Sequence, residues 1–135
     1  MTLREHVRPH TATLLRRMGY EVRQATLRMD ADAVHDLRVS IRRLRECLRT
    51  FEDMYPAAPR KRIRKELRKI MKSAEQVRSA DIAIDLLQSA GLEETAPLLH
   101  KIREQRARHR AQLHEELTAL AGRTYTKTWR EGLGL

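Results

Sequence analysis

Between Val34 and Phe51 the chain places His35, Arg38, Arg42, Arg45 and Arg49 three and four residues apart. On a helix that spacing lines them up in one row. No acid stands in the row, so its members cannot support the helix by pairing, and like charges at this spacing destabilise it. Capture of an anion is the chemistry such a row suits. A guanidinium offers a planar fork of N–H donors that meets two oxygens of one anionic group at once. A second set of cations follows at Arg60, Lys61, Arg62, Arg64, Lys65, Arg68, Lys69 and Lys72.

The row needs a rod to hold it. Val34, Leu37, Ile41, Leu44, Leu48 and Phe51 form an apolar seam one residue ahead of the basic row. The two stripes therefore stand about 100° apart on a single helix. Asp30-Ala-Asp32 supplies cap residues for it, and it is expected to run to about Met54. Residues 2 to about 29 read as an earlier helix with Leu3, Val7, Leu14 or Leu15, Met18, Val22, Ala25 and Met29 on its seam. Pro9 either kinks that helix or marks its true start. Tyr55-Pro-Ala-Ala-Pro59 is a break, and Pro59 suits the first turn of a third helix. That helix turns Ile63, Leu67, Ile70, Ala74 and Val77 inward.

Ser79 or Asp81 is expected to cap a short fourth helix that carries Ile82, Ile84, Leu86 and Leu87 and stops at Gly91. Glu93, Glu94, Thr95 and Pro97 open a long last helix with a seam of Leu99, Ile102, Leu113, Leu117 and Leu120. Arg106 and His109 interrupt that seam. They either snorkel to solvent or line the same basic cavity as the second and third helices. Gly122 is its stop. The expected organisation is one helical-bundle domain over residues 1–122, then a C-terminal tail or short helix over 123–135. The expected fold is all-α, an antiparallel four-helix-type bundle of long helices with one short helix.

A length of 135 residues suits one domain. The net charge is +10, and it is concentrated: residues 34–78 hold 14 Lys/Arg against 6 Asp/Glu, while the last 57 hold 8 of each. The middle third is thus the electrostatic footprint, and its partner should be a polyanion. No run of about 20 apolar residues is present, so no membrane span is expected. The N-terminus lacks the apolar core of a signal peptide. The single Cys47 cannot form an internal disulfide and reads as a small buried thiol. These features place the protein in the cytoplasm. The six His and one Cys have no metal-ligand spacing, so neither metal nor cofactor is expected.

The string Val34-His35-Asp-Leu-Arg38-Val-Ser-Ile-Arg42-Arg43-Leu-Arg45 resembles the opening signature of the CHAD family, the conserved histidine α-helical domain. Lys69-Ile-Met-Lys72 and Val77-Arg78-Ser-Ala-Asp81-Ile82 resemble that family's later turn, where an Arg-Asp-x-Asp-Val string opens a short helix. Ser79 stands where that string has its first Asp. The resemblance implies an all-helical module that binds inorganic polyphosphate with Lys and Arg from several helices, and a binding module rather than an enzyme. By position it implies a site of His35, Arg38, Arg42, Arg45 and Arg49, with Arg64, Arg68, Lys72 and Arg78 as additions and no catalytic residue. It also implies a cytoplasmic location in association with polyphosphate granules. The likeness is to the first of the two related halves of the usual domain, and no second copy follows Gly91. Either the chain is a fragment, or two chains pair to rebuild the whole. A homodimer is the expectation.

Two other functions compete. A basic helical protein also suits nucleic acid, bound without sequence preference. Single-strand binders stack bases on aromatic rings, however, and none of the five aromatics here interleaves with the basic row. Catalysis on phosphate anhydrides would need a metal held by several acids, or a nucleophile beside a base. Asp36, Glu46, Glu75, Asp81 and Asp85 form no recognisable metal set. Asp81 and Asp85 read as a capping acid and an exposed one.

Overall fold

Thr2 begins the first helix with a reciprocal cap. Its hydroxyl accepts the Glu5 N–H at 3.2 Å while the Glu5 carboxylate accepts the Thr2 N–H at 2.9 Å. The computed structural model describes residues 2–135. Five α-helices follow in order: α1 (Leu3–Arg28), α2 (Ala31–Thr50), α3 (Ala57–Ser89), α4 (Pro97–Gly122) and α5 (Tyr125–Leu133). A single 3-10 turn, Glu52–Met54, lies between α2 and α3, and no strand occurs among the described residues. The chain is an all-α bundle.

Pro9 neither starts nor ends α1. It sits inside the helix, whose only local loss there is the N–H that proline lacks. Met29 closes α1 in the left-handed region at φ 50°, and Asp30 caps α2 by accepting the Ala33 N–H at 2.8 Å. That hydrogen bond holds the Asp30 carboxyl below the usual carboxylate range. A two-residue connection leaves α2 no course but to fold back along α1. Each helix packs on the next, α4 returns to α1, and α5 closes over α3, α1 and α4.

The seam of α2 is fully buried at Val34, Leu37, Ile41, Leu44 and Leu48. Leu15, Met18 and Val22 of α1, Leu67, Ile70 and Val77 of α3, and Leu113 and Leu117 of α4 complete the core. One stretch differs from the sequence expectation. No short fourth helix begins at Ser79 or Asp81: α3 runs unbroken through both, and Asp81 is buried in mid-helix against α4. Residues 125–133 form α5, whose Tyr125, Trp129 and Leu133 are buried in the main core. Leu135 also packs on that core, and the Gly134 carbonyl accepts from Arg8 of α1.

A buried polar knot ties the α2–α3 turn to α1. The Thr11 hydroxyl bonds its own helix at the Val7 carbonyl, meets the Tyr55 hydroxyl at 2.6 Å, and lies 3.3 Å from the Cys47 sulfur. Burial raises the Tyr55 phenol above its ordinary value, against the opposing effect of the Thr11 bond. At the other side Tyr125 stands edge-on to Trp129 with centroids 5.0 Å apart. Its hydroxyl is buried without a partner, and burial pushes its pKa up to about 12.

Both phenols hold their protons more tightly in the folded protein than in the unfolded chain, where tyrosine titrates near about 10. Their stabilisation is complete below that pH and is lost as pH rises further, for Tyr125 through about 12. The melting temperature should therefore fall steeply from pH 10 to 12. Tyr125→Phe should flatten part of that fall and leave stability at pH 7 equal or slightly higher, because the phenylalanine buries no unpaired hydroxyl. Thermal melts of both proteins across that range check this.

Candidate anion-binding trough

The seam of α2 has two flanks, and their neighbours differ. Ser40 and Cys47 lie on one flank, where Cys47 meets Thr11 of α1. Arg38 and Arg45 lie on the other, about 80–100° from the seam's centre. With α1 on the Cys47 side, the Arg38 side faces the other packed neighbour, α3. The same argument holds for α3. Glu66 on one flank reaches Arg123 after α4 at 3.5 Å, and Asp81 meets Arg106 of α4 at 3.5 Å. The opposite flank carries Arg64 and Arg78 and faces α2. Because the helices run antiparallel, helical geometry aligns the two basic flanks along the α2–α3 side of the bundle, as a candidate trough.

Burial follows distance from the seam. Arg38 and Arg45 on α2, and Arg64 and Arg78 on α3, are half-buried and form an inner row. His35 and Arg49 on α2 and Arg68 on α3 stand further round and are exposed, as an outer rim, whereas the exposed Arg42 lines a depression toward α1 with His10, Leu14, Cys47 and Phe51. Arg45 and Arg64 lie at similar distances from the α2–α3 turn and so face each other across the trough. Lys72 does not join. It points away from the core on α3 and lines a shallow depression toward α4 with Gln76, Ser79 and His109.

Within this set, among the described residues, only Arg49 has an acid partner, Glu46 at 2.7 Å. The Nε–H groups of Arg38 and Arg64 are buried and meet no acceptor within the protein. A buried donor without an acceptor costs on the order of 1–3 kcal/mol, more when charged. His35 is exposed, and the start of its helix is capped by Asp30 rather than by the imidazole.

Sequence reasoning missed Arg60. It stands one turn before Arg64 on the same flank, has a buried Nε, and pairs with Glu52 at 3.0 Å, which closes the trough at the turn. The regular four-residue step Arg60-Arg64-Arg68 was the available signal. Arg106 turns to Asp81, and Arg110 approaches the same oxygen at 3.9 Å, so Asp81 anchors α4 rather than capping a helix. No cluster of three or more His, Cys, Asp or Glu close enough to hold a metal ion occurs among the described residues. No helix there is long and apolar enough to cross a membrane.

Crowded like charges repel, and salt screens them with a Debye length of about 8 Å at physiological ionic strength. Raising ionic strength from roughly 10 mM to 150 mM should raise the melting temperature by a few degrees. Arg42→Ala with Arg45→Ala should shrink that rise while helicity by circular dichroism stays unchanged. A melting temperature that falls with salt would show the trough to be internally neutralised.

Residues 10–133 match the CHAD domain. No curated protein and no solved structure matches the chain. The matched span reaches past the two sequence strings and takes in α4 and α5, the helices that hold the other side of α3. With nearly its whole length covered, the chain belongs to the CHAD domain family.

Proposed function

We propose that this chain binds inorganic polyphosphate in the α2–α3 trough and acts as a binding module without catalysis of its own. The observation that carries this reading is the pair of buried, unpartnered Nε donors on Arg38 and Arg64, set in a trough almost free of acids. Successive ridge residues on one helix rise by about 5–6 Å, close to two repeats of a phosphate chain. One helix can thus meet alternate phosphates while its neighbour meets those between. Guanidinium forks suit the paired non-bridging oxygens of each phosphate.

Membership in the family is consistent with polyphosphate as partner. Nucleic acid is less suited. Trp129, Tyr55 and Tyr125 are buried, and the exposed Tyr20 sits on α1 with Arg17 over its ring at 5.7 Å. Phe51, half-buried, lines a depression toward α1 beside Arg42 and Arg43, a single ring rather than the series on which successive bases stack. A cytoplasmic protein drawn to polyphosphate granules fits this function.

Arg38→Ala with Arg64→Ala should weaken polyphosphate binding by tenfold or more, taking each lost charged contact as about 1.5–3 kcal/mol. Lys72→Ala should have little effect. Calorimetric titration with a medium-length polyphosphate measures both, and an oligonucleotide of equal charge is the control. Equal affinity for the oligonucleotide would favour the nucleic-acid function instead. Binding should also weaken steeply with salt as counterions are released.

Pairing of two chains belongs to the same proposal. α3 is 33 residues long against 20 for α2, so α3 outruns its neighbour. Ile82 and Leu86, 42% and 65% exposed, lie on the uncovered continuation of its α2-facing flank. A homodimer would cover them. Light scattering should then give twice the 15.8 kDa chain mass at micromolar concentration, and Leu86→Glu should halve it. A wild-type monomer there would remove the dimer and leave the trough intact.

A further inference from the structure

The trough has two ends. At the α2–α3 turn, acids take up the last cations: Glu46 holds Arg49 and Glu52 holds Arg60. At the far end, beyond Arg78, the same flank of α3 turns apolar at Ile82 and Leu86 and carries the exposed Asp85. α2 itself has ended by then, since it starts at Ala31. The unpaired cations lie between these limits. On α2 the arginines run from Arg38 to Arg45 with His35 one turn further along, and on α3 they run from Arg64 to Arg78; the stretches are taken from His35 to Arg45 and from Arg64 to Arg78. One acid, the exposed Glu75, interrupts the α3 side, so α2 is the more continuous wall.

At about 1.5 Å rise per residue these stretches measure roughly 15 Å on α2 and 21 Å on α3. At about two phosphates per helical turn, that is room for roughly six to eight phosphates. We propose that the trough is a bounded site for a segment of about six to eight phosphates, and that a longer chain is shared among several copies of the protein. This inference rests on the polyphosphate-binding function proposed above and adds to it a footprint. A continuous basic track would have no such length. Here acid pairs at one end and an apolar, acidic stretch at the other remove the attraction beyond it.

The footprint is measured with linear polyphosphates of defined length, from triphosphate through about eight phosphates to several tens, titrated into the full chain by calorimetry. Affinity should climb steeply from triphosphate to about eight phosphates and then level off, apart from the statistical gain of many overlapping registers. The salt dependence of binding should level off at the same length, because the number of phosphates neutralised by one protein no longer grows. Above that length, stoichiometry should rise to about one protein for every six to eight phosphates. Arg68→Ala, an exposed change at the rim, should lower affinity for the eight-phosphate chain more than for triphosphate.

A salt dependence that keeps steepening up to several tens of phosphates, at one protein per chain, would overturn the bounded site and imply wrapping around other faces. Triphosphate binding as tightly as eight phosphates would overturn it in the other direction. Failure of every length to bind would instead remove the underlying function, a result distinct from both.

Discussion

The packing of the α2 seam against the α3 seam is the interaction on which everything else depends. Each seam has a row of cations beside it in the sequence, and antiparallel packing leaves no freedom about where those rows go. With Leu37, Ile41, Leu44 and Leu48 in one core with Leu67, Ile70 and Val77, the helical offsets direct Arg38 and Arg45 to the flank that adjoins α3, and Arg64 and Arg78 to the flank that adjoins α2. The magnitudes show why the fold tolerates this. Each fully buried Leu or Ile is worth about 1.5–3 kcal/mol, whereas a like-charge pair at a solvated helix surface costs a few tenths of a kcal/mol. Core burial outweighs the repulsion several-fold, so the bundle forms in spite of its basic trough.

The same arrangement grades the cations by exposure. The inner arginines lay their stems against the core rim, where partial burial weakens screening and leaves the Arg38 and Arg64 Nε–H groups short of an acceptor. The outer ones remain hydrated, and of them only Arg49 is held by an acid. An anion entering such a trough meets two environments: a fixed inner row that sets position, and a flexible rim that adds attraction. Lys72 shows how strict the geometry is. One turn beyond Arg68, it has rotated off the flank and serves a different surface.

Much of this was legible in the sequence because α2 carries both stripes at full contrast, with the seam wholly apolar and the ridge wholly basic. The all-α fold and the family could both be read from it. The end of α3 was not legible. Ser79 and Asp81 are good cap residues, but a cap is needed only where a helix stops, and burial of Asp81 against Arg106 and Arg110 gives that carboxylate a partner in mid-helix. Arg106, which breaks the α4 seam, and Asp81, an acid suited to start a new helix, account for each other, which no local pattern displays. For the C-terminal segment the sequence left a tail and a short helix both open. Tyr125, Trp129 and Leu133 recur every four residues, yet nine residues are too few to decide between the two until the groove they fill is known. The facing of the two basic flanks likewise needed the contacts of Cys47 and Glu66, because a helical wheel gives the angle of a row but not the neighbour on that side.

A trough of mutually repelling cations must be held rigid if it is to present a fixed row, and the supports sit where that demand falls. At the turn end, Thr11, Tyr55 and Cys47 pin the connection between α2 and α3 to α1, while Arg60 and Glu52 brace it from the trough side. At the other end, Asp81 gathers Arg106 and Arg110 and so fixes α3 to α4. Neither support draws on Arg38, Arg45 or Arg64. Acids that could have neutralised the trough are spent instead at its boundaries and on the helix that backs it. The distribution of 18 acids among 28 basic residues therefore does two things at once: it braces α3 at the turn and against α4, and it leaves Arg38, Arg45, Arg64 and Arg78 without an acid partner among the described residues.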